Sequence, residues 1–344
     1  MQAVMRRGAR LICEEVADPV PGPGQALVKS LACGICGSDL HAFQQGWGGQ
    51  LDRAGERAFV FGHEYCAEVL ESKRFRPGTR VVAMPFARGP DGTETIGYSA
   101  RFPGGFAERM VLTEDLMIEV PNGLSADVAA LTEPMAVGAH GVARASLDKD
   151  SVALVIGAGP VGAAVIAGLK ARGFGPVIVA DFSPKRRALA ERLGADVVID
   201  PAAESPYGRW ADLGVPTGYD PMAPLLKGQA RKRAVIFECV GAPGVLETVL
   251  AGAPYGSEVV LLGVCMERDS LVPAPAVTKE ITLRGACFYS AQEFERCLLD
   301  LAEGLIDGQA LITDRVGLSG VAGAFERLAK PNTDMKIIVE PGRA

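Results

Sequence analysis

Apolar and polar positions along the chain follow two contrasting patterns. In residues 10–33 they alternate around Pro19, Pro21 and Pro23, which predicts two half-buried strands joined by a rigid turn. Residues 65–71 and 80–83 read as further strands of this β-rich kind. From residue 151 the pattern changes. A continuous apolar run, Ser-Val-Ala-Leu-Val-Ile, is followed by Gly157-Ala158-Gly159-Pro160-Val161-Gly162, a helix-period segment to Arg172, and a second run, Val177 to Ala180, closed by Asp181. Two continuous runs flanking a helix predict a βαβ unit whose parallel strands are buried on both faces.

More strands are predicted at 104–108, 195–199, 233–238, 257–264, 281–286 and 335–339, and helices at 126–131, 291–303 and 321–328. Ser125 is the expected N-cap of the first of these helices, and Pro134 places Glu133 at a helix boundary. Residues 85–103 and 201–224 show no period. The second holds five prolines and is expected to be a surface excursion. The fold class is therefore α/β: a β-rich domain over 1–149, a dinucleotide-binding domain over 150–288, and a return over 289–344 that completes the first. A length of 344 residues suits two domains, each with its own core.

Composition narrows the partners. Hydrophobic residues make up 48% and charged ones 22%, and 35 basic against 41 acidic residues leave −6, which argues against a nucleic acid or an anionic membrane. No apolar run reaches the roughly 18 residues of a membrane span, and no apolar segment follows the three arginines of residues 1–10, so a cytoplasmic protein is expected. Eight cysteines are too sparse for a disulfide scaffold, which leaves core thiols or metal ligands.

The chemistry clusters in two places. In the βαβ unit, Gly157 permits the tight strand-to-helix turn, Gly159 lets backbone approach a pyrophosphate, and Gly162 lets the helix close on the strand. Asp181 stands where an acid accepts hydrogen bonds from an adenosine ribose. Earlier in the chain, Cys33-Gly34-Ile35-Cys36-Gly37-Ser38-Asp39-Leu40-His41 is followed by Gly62-His63-Glu64. The two cysteines could be a redox pair, half a zinc site, or one ligand beside one buried thiol. A second such pair is absent, and two of only three histidines lie close by, so Cys36, His63 and Glu64 offer the mixed donors of a catalytic zinc with an open position.

These motifs resemble the zinc-dependent medium-chain dehydrogenase/reductase superfamily over nearly the whole chain. The resemblance implies a Rossmann NAD-binding domain beside a GroES-like catalytic domain, and one catalytic zinc held by Cys36 and His63 with Glu64 and Glu133 as carboxylate candidates. Residues 85–103 carry none of the four cysteines that hold a second, structural zinc in many relatives, so that site is expected to be absent and the loop held by packing alone. Ser38 and His41 match the family's proton relay, and Asp39 matches an acid that orients the zinc-bound histidine. Cofactor contacts are implied for Pro160, Val161, Arg186, Cys239, Val240, Leu262, Gly263, Val264, Ala286 and Phe288, and at the pyrophosphate for Lys336.

The expected reaction is reversible hydride transfer between NAD and an alcohol, giving a ketone or aldehyde, in a homodimer or homotetramer. Asp181 favours NAD over NADP, because a carboxylate there repels a 2′-phosphate; Lys185, Arg186 and Arg187 are the opposing cluster. Glu133-Pro134 resembles the polyol, butanediol and sorbitol dehydrogenase branch, so a secondary alcohol, diol or sugar-like substrate is expected, with Phe43, Trp47 and Phe102 as candidate walls. The alternative is a zinc-independent NADPH enone or quinone reductase, which has no use for Cys36, His63 and Glu64. A non-enzymatic use of the fold and a Cys33/Cys36 thiol redox protein are the remaining readings.

Overall fold

The computed structural model describes residues 1–45, 59–89, 92–121, 123–218, 232–330 and 334–343. Trp47 and residues 219–224 lie outside them. The chain divides into two units, Met1–Pro134 with Phe294–Ala344, and Met135–Glu293. The first crossing falls inside a helix, where the sequence pattern puts it near residue 149.

The first unit opens with β1 (Gln2–Arg7) paired antiparallel to β2 (Arg10–Glu15), followed by β3 (Gln25–Gly34) and α1 (Gly37–Gln45). Then come β4 (Glu64–Glu71), β5 (Arg80–Ala83), the hairpin β6 (Phe86–Gly89) and β7 (Gly92–Thr95), β8 (Arg109–Thr113) and β9 (Met117–Glu119). Helices α2 (Ala126–Ala129) and α3 (Thr132–Arg144) lead out. The second unit runs through β10 (Ser151–Ile156), α4 (Pro160–Ala171), β11 (Val177–Ala180), α5 (Pro184–Arg192), β12 (Val197–Ile199) and β13 (Arg233–Glu238). It ends with α6 (Val245–Gly252), β14 (Glu258–Leu261), α7 (Ala274–Thr278) and β15 (Thr282–Gly285). The chain returns through α8 (Ala291–Ala302), β16 (Ile312–Val316), α9 (Val321–Leu328) and β17 (Lys336–Val339).

In the first unit a seven-stranded sheet has the order β16-β17-β3-β4-β5-β9, with β8 also paired to β3. Val28, Phe61, Val69, Val81, Phe106, Phe325 and Ile337 fill its core. In the second unit six strands run parallel in the order β12-β11-β10-β13-β14-β15. Val152, Leu154, Val179 and Ile236 on the inner strands are completely buried, as continuous apolar runs require of a parallel sheet.

Four expectations need correction. No strand spans 104–108, because a Cβ on Gly104 would come within 2.3 Å of the Phe61 carbonyl oxygen; that stretch is pressed against the backbone ahead of His63, and β8 begins at Arg109. Residues 85–103 are not held by packing alone. Glu94 accepts hydrogen bonds from Ser99 Oγ at 2.5 Å and Arg101 Nε at 2.9 Å, so a carboxylate network ties the hairpin. The described part of 201–224 is largely exposed, as a surface excursion is, but it is pinned to the fold: Trp210, 1% exposed, and Val215 close the core of the parallel sheet. Ser125 stands at the N-cap of α2, but its hydroxyl bonds the Asp127 carboxylate instead of capping a backbone N–H.

Candidate active site

The metal-ligand types converge where β3, β4 and β17 end together. Cys36 follows β3 directly, His63 precedes β4 and Glu64 opens it, opposite Gly34. A Cβ on Gly34 would lie 2.0 Å from Glu64 Oε2, so glycine is what lets the carboxylate turn inward. Ligand atoms of Cys36, His63 and Glu64 lie within 4.8 Å of one another. A thiol, an imidazole and a carboxylate at that spacing match the donor set of zinc.

Each ligand type is anchored from behind. Asp39 is fully buried; its Oδ2 accepts from the Cys36 backbone N–H at 3.0 Å, and its Oδ1 lies 3.3 Å from His63 Nδ1. The His63 contact is a close ion contact at a poor angle, which leaves Nδ1 without a formal hydrogen bond. Burial opposes a charge on His63, but the Asp39 carboxylate and the Cys36 sulfur outweigh it and hold its pKa well above the ordinary range.

Lys336 departs from expectation. Instead of being free for a pyrophosphate, its Nζ is buried and donates to Glu64 Oε1 at 2.8 Å, Glu64 Oε2 at 2.7 Å and the Ile35 carbonyl at 3.1 Å. All three ammonium protons are used there. Burial works to lower the Lys336 pKa, but the Glu64 carboxylate, Cys36 and Glu133 together outweigh this and raise it. Glu133 is not one of the three clustered ligands; it sits in the first turn of α3, 8% exposed, close enough to Lys336 and Tyr65 for its charge to raise both pKa values.

Cys33 takes the buried-thiol role. It is completely buried, its pKa pushed well up by burial, and a Cβ on Gly105 would come within 2.6 Å of its sulfur. That packing removes the Cys33/Cys36 redox reading. Phe102 is also a core residue, and Phe43 packs edge-on against Phe325 at 5.8 Å, so neither is shown as a substrate wall.

Ser38 Oγ lies 3.5 Å from His63 Nε2, while His41 is exposed one turn further along α1. A residue that the sequence pattern does not single out links Ser38 to Asp39: the Tyr98 hydroxyl is 2.8 Å from Ser38 Oγ and 3.1 Å from Asp39 Oδ1. Tyr98 follows the β6–β7 hairpin, in a stretch without period, and nothing in the sequence ties it to the cysteine and histidine motifs.

In the second unit the glycines behave as their spacing implies. Gly157 has φ +88°, and a Cβ on Gly162 would come within 1.8 Å of the Gly157 carbonyl oxygen. Around Gly159 a Cβ would meet nothing closer than Arg186 Nη1 at 3.6 Å, which leaves an open face where α4 begins at Pro160 and Val161. Asp181 accepts from the backbone N–H groups of Ala158 at 2.8 Å and Ser183 at 2.7 Å, and Arg186 Nη1 lies 3.8 Å from it. At the carboxyl end of β13, Glu238 accepts from the N–H groups of Val240 and Gly241, and a Cβ on Gly263 would meet Gly241 N at 2.2 Å, so Leu262 and Gly263 pack tightly there. Burial and then Glu238 push the Cys239 thiol well up, so it is held as a neutral thiol and not as a nucleophile. Val240, Val264 and Phe288 leave 46%, 53% and 59% of their surface exposed at the ends of parallel strands, where open α/β sheets bind ligands. Ala286 follows β15 beside Phe288, whose φ of +61° is strained for a non-glycine residue.

Comparison with known proteins places these arrangements in context. Residues 22–122 match the model of an alcohol dehydrogenase GroES-like domain, and residues 160–304 that of a zinc-binding dehydrogenase. The chain is 29% identical to a sorbitol dehydrogenase of Bacillus subtilis (strain 168), with 99% of this chain and 97% of that protein covered. It is 30% identical to an (R,R)-butanediol dehydrogenase of the same organism, covering 95% and 96%. The crystal structure of 2R,3R-butanediol dehydrogenase from Bacillus subtilis superposes with a TM-score of 0.84 at 28% identity, covering 99% of each chain.

Proposed function

Because this chain belongs to the zinc-dependent medium-chain dehydrogenase/reductase superfamily, in its polyol and butanediol dehydrogenase branch, we propose that it oxidises a secondary hydroxyl of a diol, polyol or sugar-like alcohol with NAD. It is an oxidoreductase acting on CH–OH groups. The observation that carries the reading is the convergence of Cys36, His63 and Glu64 at one point, backed by Asp39 and Lys336. An enone or quinone reductase without zinc has no use for that donor set.

When bound, zinc supplies a Lewis acid that lowers the pKa of an alcohol oxygen, and NAD accepts the hydride. Cys36 and His63 would hold the metal, and a carboxylate would complete the set: Glu64 once Lys336 releases one of its oxygens, or Glu133 from α3. Asp39 keeps the His63 ring oriented and the Cys36 backbone in place. Ser38 is placed to take the proton of the alcohol while giving up its own, and His41, exposed on α1, is placed to exchange a proton with water. These residues offer one thiol and no second, soft, strongly donating thiolate of the ethanol type, a donor set that would leave a bound zinc more electrophilic and suited to oxygen-rich substrates.

NAD is preferred to NADP because Asp181 already fills the space beside Ala158 with a carboxylate, and Arg186 is drawn toward it. All eight cysteines are unpaired, in keeping with a reducing, cytoplasmic setting, and no helix among the described residues is long and apolar enough to cross a membrane. Steady-state kinetics on ethanol, secondary alcohols, 2,3-butanediol and sorbitol test the substrate class. The expected result is higher kcat/KM for a diol or polyol; ethanol equal to or above all others would overturn it.

A further inference from the structure

The relay inferred for this family runs through Ser38 and His41, yet in this chain the shorter of the two side-chain contacts of Ser38 Oγ, at 2.8 Å against 3.5 Å to His63, is with a tyrosine from a different segment. Tyr98 lies in the turn after the β6–β7 hairpin, its ring tilted 36° to that of His63 at 5.3 Å and edge-on to Phe61 at 6.1 Å. Its hydroxyl is within hydrogen-bond distance of both Ser38 Oγ and Asp39 Oδ1. A phenol has one proton, and an ionised carboxylate can only accept. The proton of Tyr98 therefore belongs to Asp39, and the phenolic oxygen, 2.8 Å from Ser38, is left as acceptor for the Ser38 hydroxyl.

From this geometry we infer that Tyr98 is a positioning residue: by accepting a hydrogen bond from Ser38 and donating one to Asp39, it turns the lone pairs of Ser38 toward the alcohol, and as Ser38 takes the proton of the alcohol its own passes to the Tyr98 oxygen and that of Tyr98 to Asp39. The inference rests on the dehydrogenase reading above and adds to it a residue that acts through Ser38. A hydroxyl free to rotate spends part of its time with its proton pointing at the substrate, where it cannot accept. Tyr98 removes that orientation before the substrate arrives, which is how a positioned acceptor gains over a mobile one. It also gives Asp39 Oδ1 a hydrogen-bond donor beside its 3.3 Å contact with His63, so the aspartate that orients the histidine is itself held by the hairpin segment. The carboxylate network of Glu94, Ser99 and Arg101 sets the turn that carries Tyr98, so a segment that holds a structural zinc in many relatives here serves the relay.

The test is a double-mutant cycle of Tyr98→Phe and Ser38→Ala, measured with whichever of 2,3-butanediol and sorbitol the wild type uses. Phenylalanine keeps the ring packing and deletes only the hydroxyl. Tyr98→Phe is expected to lower kcat about tenfold with KM little changed, and to raise the solvent deuterium isotope effect as proton transfer becomes slow. In the Ser38→Ala background it should cost clearly less than in wild type, because one of its two partners is gone and only the Asp39 bond remains to be lost. Zinc content and melting temperature should stay at wild-type values, which separates positioning from structural support. Additive losses, a wild-type kcat in Tyr98→Phe, or loss of zinc from that variant would each overturn the inference while the dehydrogenase reading stands. A wild type that oxidises no alcohol with NAD would overturn both.

Discussion

Replacing Lys336 by methionine keeps the apolar stem, removes the charge and leaves a buried carboxylate without its counter-ion. Glu64 is completely buried and Lys336 is 3% exposed, and the ammonium supplies hydrogen bonds to both carboxylate oxygens. Removing one partner of such a pair strands the other charge in a dry interior, at a cost of about 3–5 kcal/mol. At about 2–4 °C per kcal/mol for a unit of this size, metal-free Lys336→Met should melt about 10 °C below wild type. Adding Glu64→Gln should recover most of the loss, because the buried charge is removed with its partner. Thermal unfolding by near-ultraviolet circular dichroism, read with calorimetry on chelated protein, provides the measurement. Since the pKa of Lys336 is raised in the fold, its contribution is fully present below the unfolded value of about 10.4 and disappears as pH rises through the folded one. A single variant within about 2 °C of wild type at neutral pH would refute the reasoning.

Two other contacts give further expected outcomes. Asp127 holds a proton less readily than a free aspartate although burial opposes this, because the Ser125 hydroxyl and the Arg315 guanidinium favour its charged form. The stability it contributes is present above the unfolded value of about 3.9 and lost as pH falls through the lower folded value, so the melting gap between wild type and Asp127→Asn should close below about pH 4. At the cofactor site, Asp181→Ser should raise the kcat/KM ratio of NADP to NAD by about tenfold, a change of about 1.4 kcal/mol; an unchanged ratio would remove Asp181 from cofactor selection.

The readable parts of the sequence were those governed by period and by backbone need. The parallel sheet announced itself as unbroken apolar runs, and Gly157, Gly159 and Gly162 stood where a turn, an open approach and a close helix contact require them. Cys36, His63 and Glu64 could be brought together because residue types with one shared chemistry were rare and close in the chain. What escaped depended on contacts between distant segments. Lys336 lies 272 residues from Glu64, Tyr98 lies 60 from Ser38, and neither pairing leaves a local trace. The fate of 201–218 turned on one tryptophan in a proline-rich stretch, where composition pointed to the surface and Trp210 went to the core. The hairpin at 86–95 was missed for a related reason: a Glu94 network holds it through side chains that show no period.

In the proposed reaction, NAD-linked alcohol oxidation rests on one metal centre at Cys36 and His63. Elemental analysis and NADH formation on the same preparations of wild type and Cys36→Ser test it most directly. The expected result is about one zinc per wild-type chain with turnover of a diol or polyol, and a folded Cys36→Ser protein that has lost both zinc and activity, since a catalytic zinc serves chemistry more than folding. Two zinc ions per chain, or a Cys36→Ser variant turning over at the wild-type rate, would contradict it.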